Sequence, residues 1–223
     1  MKRRLLTILL AALLGLGLGA AQPAFAQGDN VAIAINTKDG TTVFKVAFKI
    51  RHVMNGIVDQ SNAAVAYASC TECTAVAIAF EIVLVESNPT VVTPTNIAIA
   101  FNENCSLCVT VAEAYQFVLG TGGNVRFDAE GNRILSEIRR ELHSLRKEDL
   151  TIEQLQARLD SIATRIADVL ANHLVPVGRP EKDDAESTTT STTTTMTTTT
   201  TPTTTAETTT PTTTTGVTTT TGP

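Results

Sequence analysis

Alternating small and bulky apolar residues recur three times in the first half of the chain. The three segments read NVAIAINTKDGTTVFKVAFKI (30–50), NAAVAYASCTECTAVAIAFEI (62–82) and NIAIAFNENCSLCVTVAEAYQF (96–117). Alternation with a period of two predicts strands, each with one alanine face and one face of Val, Ile, Phe or Tyr. The spacing of about 32 to 35 residues predicts three copies of one strand–turn–strand unit.

The two-residue turns of these segments predict antiparallel hairpins. Asp39-Gly40 favours a type I′ turn, and pairing outward from it places Lys38 opposite Thr41. The third copy is one residue longer before its turn, so we predict a one-residue bulge near Glu103–Asn104. The same scheme gives each hairpin one polar pair at its open end, namely Asn30 with Lys49, Asn62 with Glu81 and Asn96 with Gln116.

A further turn signal, Asn55-Gly56, links the first two hairpins and would pair Val53 with Val58 and His52 with Asp59. A looser, proline-containing link runs from Ser87 to Thr95 before the last hairpin. The predicted fold is therefore α+β, with an antiparallel β-meander of about six strands followed by helices.

Two helical stripes follow the strands. Their apolar residues recur at helical spacing, and Thr151 with Gln154 forms a capping box that starts the second helix near Ile152, while Pro176 ends it. We expect this helical hairpin to cover the bulky face of the sheet, which leaves the alanine face to a second sheet layer, a closed barrel or another copy of the chain. The stripes are Ile134, Ile138, Leu142 and Leu145, then Leu155, Leu159, Ile162, Ile166 and Leu170.

The ends of the chain differ in composition from its middle. Lys2, Arg3 and Arg4 precede an apolar run and the small-residue site Ala24-Phe25-Ala26, which predicts a cleaved signal peptide over residues 1–26. Residues 179–223 are rich in Thr and Pro and are typical of a disordered, O-glycosylated stalk. Between them we predict a β-hairpin repeat region over 27–122 and the helical hairpin over 123–178.

Charge and export exclude some partners. Loss of the three basic residues of the signal peptide leaves 14 basic against 22 acidic residues, a formal charge of −8. An acidic exported protein is a poor binder of nucleic acid or of an anionic membrane. We expect a secreted or cell-wall-associated protein with no membrane contact after signal cleavage.

The four cysteines are the chemically distinctive residues. Cys70 with Cys73 and Cys105 with Cys108 each flank a turn, at the positions of Lys38 and Thr41 in the first copy. In an exported chain this arrangement favours two local disulfides, which would hold turns whose central residues are poor turn formers. Crossed disulfides and a four-cysteine zinc site, with two CxxC pairs at ligand spacing, remain alternatives.

No catalytic constellation accompanies the cysteines. The three histidines are His52, His143 and His173, and none begins an HExxH motif. No nucleophile elbow, P-loop or dinucleotide fingerprint occurs, and no helix follows either CxxC to activate a thiol. The sequence predicts no catalytic residue and no cofactor other than zinc in the alternative interpretation.

The run from Ser61 to Val85, the run from Asn96 to Leu119 and the Leu-rich helical segment resemble a family of exported actinobacterial proteins with alanine-rich CxxC repeats. Similar segments occur as the outer part of larger membrane proteins taken for peptide zinc metallopeptidases. The chain lacks the HExxH of such a peptidase, so the resemblance implies an envelope or accessory role and no catalytic residue.

Three functional hypotheses follow. The first is a non-enzymatic structural or interaction module of the cell envelope, braced by disulfides, with itself (through the alanine face) or another envelope protein as partner. The second is a zinc-binding accessory domain of a peptidase or peptide-processing system. The third, a hydrolase with widely scattered catalytic groups, has no residue pattern in its favour.

Overall fold

The structure is a computed structural model that describes residues 29–54, 56–178, 194–205 and 212–215, the last two ranges by their backbone only. The predicted signal peptide and Asn55 lie outside the described residues. No helix within the described ranges is long and apolar enough to cross a membrane.

The chain forms nine strands, then two helices joined by a 3₁₀ turn, then three further strands within the described residues. The elements are β1 (Asn30–Asn36), β2 (Thr42–Val53), β3 (Ile57–Val58), β4 (Ser61–Ala68), β5 (Thr74–Val85), β6 (Val91–Val92), β7 (Thr95–Asn102), β8 (Cys108–Gly120), β9 (Val125–Phe127), α1 (Ala129–Ser144), a 3₁₀ turn (Leu145–Lys147), α2 (Ile152–Asn172), β10 (Leu174–Pro176), β11 (Thr194–Thr205) and β12 (Thr212–Thr215).

The prediction of an antiparallel meander is wrong, because the strands of the three segments pair in parallel. Sheet 1 has the order β1-β4-β7-β12 and sheet 2 the order β11-β8-β5-β2. The two strands of one segment lie in different sheets, so each segment is one coil of a two-sheet solenoid. Equivalent residues stack in register: Asn30 lies beside Asn62, and Asn62 beside Asn96.

The predicted hairpin pairs fail for the same reason. Asn30 and Lys49 belong to opposite sheets, and Lys49 lies instead beside Glu81 in sheet 2. His52 does not pair with Asp59, since its Nδ1 lies 2.6 Å from Oε1 of Glu86. The extra residue of the third copy does fall at the predicted place, but in the turn after β7, where Asn104 has φ 48°, and not in a bulge.

The alanine faces of the two sheets pack on each other inside the solenoid, so the second sheet layer is what covers them. Ala34, Ala66 and Ala100 of sheet 1 and Ala77 and Ala112 of sheet 2 are fully buried. Side chains this small let two sheets approach closely, and they leave no free alanine face for another copy of the chain.

The two helices cover the bulky face of sheet 2, as the hydrophobic pattern predicts. Phe80 and Tyr115 stack with ring centroids 4.4 Å apart and belong to one buried cluster with Ile138, Leu159 and Ile166 of the helices. The capping box of Thr151 and Gln154 is present, and α2 ends at Asn172, four residues before Pro176. Residues 174–176 form β10, which pairs with β9.

The two ends of the solenoid are closed differently. At the third coil, the backbone of β11 pairs with β8 and that of β12 with β7, both antiparallel. These two stretches belong to the tail that the composition predicts to be disordered, and residues 179–193, 206–211 and 216–223 of that tail lie outside the described residues. At the first coil, β1 and β2 are edge strands. On β2, exposed Lys45 pairs with buried Ala77 of β5, which in turn pairs with buried Ala112 of β8. A charge at an inward position of an edge strand opposes edge-to-edge pairing with another sheet.

Candidate functional site: the four-cysteine cluster

The four cysteines lie together at the turn end of the second and third coils. Cys70 and Cys73 are at disulfide distance with Cα atoms 6.0 Å apart, and Cys105 and Cys108 with Cα atoms 5.8 Å apart. The pairing is therefore local, within each CxxC, and the described residues contain no free cysteine.

The two cysteine pairs stack on each other because the coils stack in register. Cys73 Sγ lies 3.4 Å from Cys108 Sγ, and all four sulfur atoms lie within 4.8 Å of one another. Cys70, Cys73 and Cys108 are buried, whereas Cys105 is partly accessible. A reductant would therefore reach the pair of the third coil through Cys105.

Each turn has a residue in the left-handed backbone region at the second of its two central positions. Gly40 has φ 64° in the first coil, and the equivalent residues Glu72 and Leu107 have φ 52° and 55°. Glycine adopts this conformation without steric cost, whereas an L-residue with a side chain does not. The glycine thus occurs in the turn without cysteines, and Glu72 and Leu107 occur inside the two CxxC pairs. Asn104, just before the third-coil pair, also has a positive φ of 48°.

The first coil closes its turn with hydrogen bonds in place of a covalent bond. Thr41 Oγ1 donates to the carbonyl of Lys38 at 2.8 Å, which joins the two positions that are cysteine in the other coils. Asn36 adds a second link, since its Nδ2 donates to the carbonyls of Thr41 at 2.7 Å and of Thr74 at 2.9 Å. The same turn geometry is therefore held by polar contacts once and by cysteine pairs twice.

The atoms around the sulfurs favour the oxidised form over thiolates. Cys108 Sγ lies 2.9 Å from the carbonyl oxygen of Cys70, and Cys70 Sγ lies 3.2 Å from that of Asn36. Carbonyl dipoles repel an anionic sulfur, and Glu72 adds a negative side chain in the same turn. Four sulfur atoms within 4.8 Å of one another nevertheless match the donor set of a tetrahedral zinc site.

A ladder of asparagines lies inside the solenoid beyond the alanines, and the sequence pattern did not predict that these residues contact one another. Asn30 Nδ2 donates to Asn62 Oδ1, and Asn62 Nδ2 to Asn96 Oδ1, both at 2.8 Å. Asn62 Nδ2 also lies 3.0 Å from the carbonyl oxygen of Tyr115 in sheet 2, so this asparagine ladder ties the two sheets together. Its signal in the sequence is the asparagine that opens each of the three segments.

Glu81 lies in the interior on sheet 2, between Lys49 and Gln116 of the neighbouring coils. Its side chain is fully buried, and Oε2 accepts a hydrogen bond from Gln116 Nε2 at 2.9 Å. Oε1 has no hydrogen-bond partner among the described residues. Burial raises the pKa of Glu81 to about 7, although Gln116, Arg51 and Lys49 act in the opposite direction.

The histidines are not part of the cysteine cluster. His173 follows α2 and its Nδ1 lies 3.1 Å from Oδ2 of Asp128, the residue that caps α1. His143 is exposed on α1. The cysteines form the one group of three or more His, Cys, Asp or Glu side chains with metal-binding geometry among the described residues.

No protein-family model, no curated protein and no solved structure matches the chain. The cysteine cluster must therefore be interpreted from its own geometry.

Proposed function

We propose that the chain is an exported, non-enzymatic structural or interaction module of the cell envelope, braced by two disulfides. The observation that carries the proposal is the stacking of two cysteine pairs on adjacent coils, each around a strained turn. Such bonds persist in an oxidising compartment and are rare in a reducing cytosol.

The interior supports a structural role. Small side chains fill the space between the sheets, and the asparagine ladder spans all three coils. These features give a rigid, in-register stack.

The outward face of sheet 1 supports an interaction role. Ile33 of β1 and Ile97 of β7 are 38% and 37% exposed on this face. Tyr67 between them is buried and stacks on Phe101 at 5.8 Å between ring centroids. We propose another envelope protein as the partner of this face. The alanine face is not part of it, because its residues are buried between the sheets.

The second candidate function is the zinc-binding accessory domain. The observation in its favour is the mutual approach of the four sulfurs to within 4.8 Å. Zinc would need four thiolates, and the neighbouring carbonyl oxygens disfavour those anions.

Intact mass spectrometry of the native full-length protein, with and without thiol alkylation and with metal analysis, separates the two functions. Two disulfides require the loss of about four hydrogens, no alkylation and no stoichiometric metal. Four alkylatable thiols with one zinc would replace the first proposal with the second.

Matched double variants give a second readout. Cys70→Ser/Cys73→Ser and Cys105→Ser/Cys108→Ser each remove one pair from one coil. A disulfide brace predicts that each variant loses about 2 kcal/mol of unfolding free energy independently. A shared zinc site predicts that either variant alone abolishes metal binding, which would contradict the brace.

A further inference from the structure

A basic surface lies on the C-terminal half of α1 and the 3₁₀ turn, far in sequence from the cysteines. Arg139, Arg140, His143, Arg146 and Lys147 make up this surface, and with Ser144 they line an open depression of about 460 Å³. All of these residues are exposed. The surface is therefore a cationic region on a chain whose net charge is −5.

The arginines elsewhere on the helices are matched by acids. Arg133 pairs with Glu130 and Glu137, and Glu141 accepts from Arg158 at 2.9 Å and from Arg165 at 2.6 Å. No ion pair within residues 29–54 and 56–178 involves a residue of the basic surface. The same two helices thus carry one neutralised face and one face with unbalanced positive charge.

The acids that border the basic surface do not neutralise it. Glu148 Oε1 accepts from Ser144 Oγ at 3.1 Å, and its Oε2 faces Arg158 at 3.7 Å. Asp149 is a single carboxylate beside four permanent cations. An anionic ligand would therefore meet unbalanced positive charge at this surface.

One guanidinium is already held in place. Cζ of Arg139 lies 4.8 Å from the ring centroid of Phe48 on the edge strand β2, a cation–π contact that restricts this side chain. Three of the four permanent cations are arginines, whose planar forks bind phosphate oxygens in a bidentate manner.

The surroundings favour a soluble polymer over a bilayer or a nucleic acid. No large apolar residue is exposed in α1 or the 3₁₀ turn, so nothing there would insert into a membrane. The Phe48 ring lies under the Arg139 guanidinium and is not open to base stacking there.

We propose that the basic surface binds the phosphate groups of a soluble, phosphate-bearing polymer. This site is separate from the cysteine cluster, so its failure would leave the proposed disulfide-braced module untouched. Affinity should fall steeply with salt, because binding releases counterions from the polymer.

The test measures binding of fluorescent inorganic polyphosphate to the full chain at low ionic strength by anisotropy. Arg140→Gln/Arg146→Gln should weaken binding about tenfold or more, since it removes half of the permanent cations. Arg133→Gln/Arg165→Gln changes the net charge equally on the neutralised face and should leave affinity within about twofold. Circular dichroism checks that both variants are folded.

Three results would overturn the proposal. The first is no binding of polyphosphate by the unaltered chain, and the second is an equal loss of affinity in both double variants. The third is a lack of selectivity for a soluble phosphate polymer: polyglutamate of matched length bound as tightly as polyphosphate, or retention on phosphatidylglycerol vesicles without polyphosphate binding. Weak competition by inorganic phosphate would support the site, because one phosphate contacts fewer cations than a polymer.

Discussion

Replacement of Glu81 by glutamine should make the protein more stable at neutral and alkaline pH, and the gain should vanish in acid. The folded-state pKa of Glu81 is about 7 against an ordinary value of 4.5. The native state therefore binds the proton more tightly than the unfolded state does. Stability from this group is fully present below pH 4.5 and is lost as the pH rises through 7.

The magnitude follows from the pKa difference. A shift from 4.5 to about 7 corresponds to about 3 kcal/mol of native-state cost above pH 7.5. Glutamine has the shape of the protonated acid and can still accept from Gln116 Nε2. Glu81→Gln should therefore match the unaltered chain near pH 4.5 and exceed its unfolding free energy by about 3 kcal/mol at pH 8.

Urea unfolding between pH 4.5 and 8.5, with the disulfides kept oxidised, measures this difference curve. Glu72→Gln removes the same charge from an exposed turn position and serves as the matched control. A difference between Glu81→Gln and the unaltered chain that stays flat across this range, or that grows toward acid pH, would refute the burial argument.

Further variants test the ladder and the turns. Asn62→Ala should cost about 4 kcal/mol in urea unfolding, because it orphans buried partners in both sheets; a cost below about 1 kcal/mol would contradict the ladder's role. Gly40→Ala should cost about 1 kcal/mol through its φ of 64°, since nothing lies within 4 Å of the added Cβ, while Gly120→Ala, equally open but without positive φ, should not. Lys38→Cys/Thr41→Cys should form a third disulfide, visible as two further hydrogens lost by mass; two free thiols there would show that the first turn differs from the others.

The local elements could be predicted from the sequence because they depend on near neighbours. The alternation of Ala with bulky residues identifies the strands of the three segments and both of their faces, and Thr151 with Gln154 identifies the start of α2. The helices cover the bulky face, whose residues pack on Ile138 and Leu159, as predicted. The cysteines also pair locally, within each CxxC, as predicted.

The pairing of the strands could not be derived from the same pattern. A turn such as Asp39-Gly40 is compatible with a hairpin, in which its strands bond to each other, and with an arch, in which they face each other from two sheets. Two signals pointed to the arch: both faces of every strand are apolar, as in buried parallel sheets, and identical residues such as Asn30, Asn62 and Asn96 recur at equivalent positions. Pairing residues outward from a turn uses neither of these two signals.

The sequence by itself determined the six long strands of the three segments, the helices, their apolar faces and the positions of the cysteine pairs, because period, capping and turn chemistry act over a few residues. Only the tertiary structure decided that the strands stack in parallel, and with that the stacking of Cys73 on Cys108 and the burial of Glu81 beside Gln116. The physical reason is that these contacts join residues about 35 positions apart. Their energy depends on which sheet each strand joins, and that choice is made by the packing of all three coils together.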